Sequence, residues 1–244
     1  MIRSFLLALQ FLTRIPTPQL SGITDREIGL SQYYYPVIGL IIGLVLLLAA
    51  NIISLSSSSL EAALLVTLWV MVTGALHIDG LADCADAWVG GYGDKDKTLA
   101  ILKDPQSGPV AVTLVVCVLL IKFAALEAII SSDQLSALIL APVIARSLLP
   151  LLFHTAPYVR SNGLGATLNQ TKSLPLLLTT LLITSLLANY LLGISALIVM
   201  LVSLFVLMLI RNMSLNRLDG LTGDVAGALV ELVEIAVLVS ILCL

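Results

Sequence analysis

Three aspartates and a histidine fall within ten residues of "HIDGLADCADAW", His77 to Trp88. If a helix carries them, Asp79, Asp83 and Asp86 stand at i, i+4 and i+7, within about 60° of arc along roughly 10 Å of axis. Three carboxylates on one stripe repel one another unless a cation lies among them. An all-oxygen set without an accompanying cysteine or histidine pair favours magnesium, manganese or calcium. Magnesium binds through one or two carboxylates and fills its shell with water and substrate phosphates. The stripe therefore reads as a Mg2+ site for phosphoryl transfer. The plain alternative is a solvated acidic helix end with a turn at Asp79–Gly80. In an unbroken helix His77 points about 180–200° away from Asp79 and Asp86 and faces a neighbouring helix. Only a break at Gly80 would bring it round as a general base.

A second acidic segment, "TGDVAGALVELVE", opens at Thr222. A helix N-terminus there would offer backbone N–H groups to a phosphate, with Thr222 and Asp224 at its edge. Glu231 lies seven residues beyond Asp224 on the same face, and Glu234 follows it. Glutamates inside an apolar span are functional or paired, and Glu231 is a candidate catalytic group by the first reading. By the second it pairs with Arg146 or Lys122, which also lie within apolar runs. Arg146 is a candidate phosphate clamp, and "RSNGLG" sets Arg160 beside two glycines as an anion cradle. "LKDPQSGP" is a turn by composition, with Asp104 as cap, ligand or substrate contact. "YYYP" at 33–36 reads as an interfacial aromatic belt.

The elements that must hold these residues follow from composition. The chain has 244 residues, 59% hydrophobic and 11% charged, with a mean hydropathy of +1.09. A soluble domain carries about 25% charged residues. The pattern is that of an all-α polytopic membrane bundle in the lipid bilayer, one domain over 1–244. Windows of about 20 apolar residues give seven spans, near 35–53, 60–78, 109–131, 134–153, 174–192, 194–210 and 224–244. The start, 1–20, reads as an amphipathic helix in the headgroup region.

Arginine and lysine fall in alternate loops, at Arg3, Arg14 and Arg26, then Lys95, Lys97 and Lys103, then Arg160 and Lys172, then Arg211 and Arg217. With seven spans all of them lie on one side, which the positive-inside rule makes cytoplasmic, the N-terminus included. The acidic cluster shares that side. A net charge of −3 and the lack of a basic cluster argue against nucleic acid. Cys84, Cys117 and Cys243 have no disulfide or zinc spacing. Whether copies assemble into a homo-oligomer is left open.

Taken together, "FLTRIPTP", "YYPVIGLIIG", "TGALHIDGLADCADAW", "KDPQSG", "RSNGLG" and "LTGDVAGALVELVE" resemble the cobalamin synthase family over nearly the full length. The resemblance implies an adenosylcobinamide-GDP ribazoletransferase in the cytoplasmic membrane of a prokaryote. Such an enzyme joins adenosylcobinamide-GDP to alpha-ribazole or its 5'-phosphate, with magnesium, and releases GMP. Asp79, Asp83 and Asp86 would hold metal, with Asp224 a further ligand or base. Arg146 and Arg160 would hold phosphate oxygens. The base is open among Asp224, Glu231, His77 and the cluster. One departure is Asp219, where the family pattern leads to glycine. Two rivals are a CDP-alcohol phosphotransferase, whose "DGxxAR" motif here ends in Asp83 and Cys84 and lacks the arginine, and a secondary transporter, suggested by the charges within spans.

Overall fold

The computed structural model describes residues 1–53, 57–160 and 164–244, and these form helices, short turns and one isolated bridge. In chain order the helices are α1 (Ile2–Leu12), α2 (Asp25–Ser31), α3 (Tyr35–Ile53), α4 (Ser58–Thr73), α5 (Leu76–Gly90) and α6 (Lys95–Ile101). They continue with α7 (Pro109–Ser131), α8 (Ser136–Thr155), α9 (Leu164–Gln170), α10 (Leu174–Leu192), α11 (Ala196–Leu218) and α12 (Gly223–Leu242). Among the described residues five helical stretches are long and apolar enough to cross a bilayer, counting Leu174–Leu218 as one. The number is six if the bent pair α4–α5 makes a broken span.

The Leu174–Leu218 stretch doubles back. At one end Lys172 donates to the His154 carbonyl, and near the other Arg211 donates to that of Thr155. Both ends therefore meet the same end of α8, and the chain reverses at Gly193, whose φ is +59°.

Helices α8 and α12 form the centre, buried on nearly every side. Close approach of α3 to α8 depends on Gly39 and Gly43, one turn apart on α3. A Cβ on Gly39 would lie 2.4 Å from the Pro142 carbonyl oxygen, and one on Gly43 would lie 2.7 Å from Ile139 Cα. Small residues at this spacing let backbones touch where no hydrophobic drive operates between helices in lipid.

Four helices are also tied by charge. Lys122 of α7 donates to Glu231 (2.8 Å) and Glu234 (2.7 Å) of α12 and lies 4.5 Å from the centre of the Trp69 ring of α4. Arg146 of α8 pairs with the other oxygen of Glu234. Two cations and two anions thus close on one another in the interior, which is how charges persist away from water.

The second apolar run does not continue straight into the acidic segment. At Gly74 and Ala75 two successive residues take left-handed conformations, and α5 leaves α4 at 90°. Gly74 N–H bonds to Met71 O (3.2 Å) and Ala75 N–H to Val70 O (3.1 Å), a Schellman ending. The break at Gly80 that would bring His77 round is absent: the chain bends earlier, and α5 runs unbroken through Gly80. Helix capping by Gly74 decided this, not the "DG" pair.

The aromatic belt reading also needs correction at Tyr35. That side chain is buried under α1, 6.3 Å from the ring of Phe11, while the Tyr33 hydroxyl accepts a hydrogen bond from Ser173 N–H.

Candidate active site

Antiparallel packing of α5 against the start of α12 builds the site. Glycines permit it: a Cβ on Gly80 would fall 2.7 Å from the Asp224 carbonyl oxygen, and one on Gly227 would fall 3.2 Å from that of His77. Asp79 and Asp224 are thereby brought to one edge.

A second device brings in Arg160. Residues 157–159 pair with 220–222 through Leu221 N–H to Pro157 O (2.8 Å) and Val159 N–H to Leu221 O (2.9 Å), an isolated parallel bridge. It pins the chain after α8 to the chain before α12 and sets Arg160 Nη2 3.1 Å from Asp224 Oδ2. Asp219 helps to shape this segment. It ends α11 with a φ of +57° and forms an ion pair with Lys95. The left-handed conformation explains why glycine would suit the position, and aspartate is among the few residues that tolerate it.

Between these elements lies a cavity of about 310 Å³ with His77, Asp79, Tyr158, Arg160 and Asp224 in its wall. Tyr158 carried no warning in the sequence beyond its loop position. Burial is the largest influence on its phenol and raises its pKa, so it stays protonated and able to donate.

Asp83 is half-buried on the same helix. Burial, then the charges of Asp79, Asp224 and Asp86, push its carboxyl up to about 6, against the opposing pull of Arg160. The acids therefore share one electrostatic field, as the stripe predicts. Among the described residues, no three acidic, histidine or cysteine side chains stand close enough to hold an ion by themselves. The donor set still suits magnesium, which needs only one or two carboxylates when phosphates and water complete the shell. Asp79 and Asp224 are the two carboxylates in the cavity wall, and Asp83 lies close enough to feel the charge of both.

Several expected residues have other duties. Asp86 accepts N–H bonds from Gly108 (2.5 Å) and Ala111 (2.9 Å), and so caps the start of α7. Thr222 is buried and accepts from Val225 N–H, capping α12, so its side chain is not free for phosphate. Asp104 accepts from Gln106 N–H in an Asx turn and does not line the cavity. Arg146 is 0% exposed and engaged with Glu234, and Glu231 is held by Lys122. Neither reaches the cavity, so the pairing alternative describes both. The continuous α5 keeps His77 on the α12 face, buried, with no partner for either ring nitrogen among the described residues. In the "RSNGLG" cradle, Ser161, Asn162 and Gly163 lie outside the described residues.

The fold and the site define an all-helical membrane protein with an acid-and-arginine cavity at one end of its bundle. The chain belongs to the cobalamin-5-phosphate synthase family, whose model matches residues 4–242. It is 49% identical over 243 residues to a protein of Pseudomonas aeruginosa named adenosylcobinamide-GDP ribazoletransferase, covering 98% of each chain. It is 49% identical over 238 residues to one of that name from Stutzerimonas stutzeri, covering 97% of this chain and 96% of that one. No solved structure matches it.

Proposed function

We propose that this chain is a magnesium-dependent transferase that joins adenosylcobinamide-GDP to alpha-ribazole or its 5'-phosphate and releases GMP. The observation that carries the proposal is the meeting of Asp79, Asp224 and Arg160 in one cavity, in a chain so similar to proteins named for that reaction.

In the proposed reaction a ribose hydroxyl attacks the phosphorus attached to the corrinoid arm. A new phosphorus–oxygen bond forms, the diphosphate bridge breaks, and GMP leaves with the bridging oxygen. Arg160 is suited to hold a phosphate oxygen, because its Nε has no partner among the described residues while Nη2 faces Asp224. Asp224, at the cavity wall beside that guanidinium, would take the hydroxyl proton. Tyr158 would donate to a phosphate oxygen. Asp79 and Asp83 would hold the magnesium ion, which when bound offsets charge on the diphosphate and the departing GMP.

We further propose seven passes with the N-terminus and the cavity on the cytoplasmic side of a prokaryotic inner membrane. The lysine and arginine distribution supports this reading. Four of the charges that suggested a transporter, Lys122, Arg146, Glu231 and Glu234, pair with one another, which favours the enzyme reading over that alternative.

Purified protein in nanodiscs should release GMP only when magnesium, adenosylcobinamide-GDP and alpha-ribazole are all present. GMP release that ignores alpha-ribazole, or none at all with the three together, overturns the proposal.

A further inference from the structure

The cavity wall has residues of two kinds: His77, Asp79, Arg160 and Asp224 are polar, and Phe11, Leu12, Tyr35, Leu149, Phe153 and Leu168 are apolar. Phe11, Tyr35 and Leu168 mark an apolar end, because they also line a neighbouring space. Beyond Phe11 and Tyr35 a second space of about 300 Å³ continues beneath α1 and α2, sharing both rings with the first. Two aromatic pairs contribute to the wall of the first cavity. Phe11 and Tyr35 are nearly parallel at 29°, and Phe153 and Tyr158 lie 6.5 Å apart. These rings offer offset or edge contacts to a flat occupant.

Size decides which substrate fits. Ligand cavities run from about 300 to 1,000 Å³, so about 310 Å³, or roughly twice that with the adjoining space, lies in the lower part of the range. A riboside of a bicyclic base can enter such a space; a corrin macrocycle with its side arms cannot. Chemistry decides the orientation. The riboside has a planar apolar base at one end and sugar hydroxyls at the other, and the hydroxyl must reach phosphorus beside Arg160 and Asp224.

Resting on the transferase reading above, we propose that the apolar end seats the aromatic base of the attacking riboside. Phe11 and Phe153 are its specificity-determining residues, and the corrinoid remains outside. The base enters under α1, its ring against Phe11, and the ribose spans towards Arg160. Phe11 is 39% exposed, so shortening it removes a contact with little effect on the packed interior.

The test uses full-length protein in nanodiscs with magnesium, and two ribosides: alpha-ribazole, whose benzimidazole carries two methyl groups, and the same riboside without them. Phe11→Ala should raise KM for alpha-ribazole about tenfold, the loss of one aromatic contact, with KM for adenosylcobinamide-GDP unchanged. Leu149→Phe, which narrows the apolar end, should discriminate against the dimethylated base more than against the unsubstituted one. Calorimetric binding of alpha-ribazole alone separates the two readings. Weaker binding to Phe11→Ala supports the base seat even if the wild type releases no GMP, an outcome that sinks only the transferase reading. A wild type that turns over, with riboside affinity unaltered in both variants, overturns the base seat alone. A wild type that neither binds alpha-ribazole nor releases GMP overturns both.

Discussion

Arg160 and Asp224 face each other across 3.1 Å, although 64 residues separate them in the chain. The pair exists because two backbone bonds at Leu221 clip one loop to another. Its consequence is a cation and an acid at one point of the cavity wall, one suited to a phosphate and the other to a proton. Asp224→Asn should lower kcat by about 10²–10⁴ with the fold intact, the usual contribution of a positioned acid or base. Arg160→Ala should chiefly raise KM for the diphosphate substrate. Steady-state GMP release reads both, and near-normal kcat in Asp224→Asn removes the residue from proton transfer.

Asp83 and Asp86 lie one turn apart and should behave differently. Asp83→Asn should abolish magnesium-dependent turnover while leaving the melting temperature within a few degrees. Asp86→Ala removes the cap of α7 and should cost about 0.5–2 kcal/mol of stability. Thermal melts beside GMP assays separate them; a stable, inactive Asp86→Ala would return that residue to the metal set.

The Asp83 carboxyl at about 6 sets a pH dependence. A raised carboxylate pKa means that below about pH 6 the group holds a proton which a divalent ion must displace. Apparent Mn2+ or Mg2+ affinity should fall by up to about tenfold per pH unit below that value and level off above it. Calorimetric titration between pH 5 and 8 measures this. A flat profile excludes Asp83 as a ligand.

The interior network should be unforgiving. Lys122→Met leaves Glu231 without its partner and Glu234 with Arg146 alone, at a cost of about 3–5 kcal/mol. Adding Glu231→Gln should restore part of that loss, since it removes the uncompensated charge. Melting temperatures of the single and double variants decide it; equal loss in both would mean that lysine packing, rather than charge, matters.

Helix type and most apolar runs are legible in the sequence because burying a backbone in lipid leaves few alternatives to helix, and the required length is fixed by the bilayer. The acidic stripe is legible because i, i+4 and i+7 share a face whatever surrounds them. The ion pairing of Glu231, Glu234, Lys122 and Arg146 was one of two readings, since an intramembrane charge needs a partner but sequence does not say which.

Tertiary structure alone made the choices between readings. Whether the second apolar run breaks at Gly74 or Gly80 depends on which glycine is needed for a turn and which for contact with α12. Asp86 and Thr222 look like ligands in sequence and act as caps because particular N–H groups lie opposite them. Phe11, Tyr35 and Tyr158 join the cavity through contacts between distant segments, which no local period encodes. Periodicity governs what a segment presents; only packing governs what it meets.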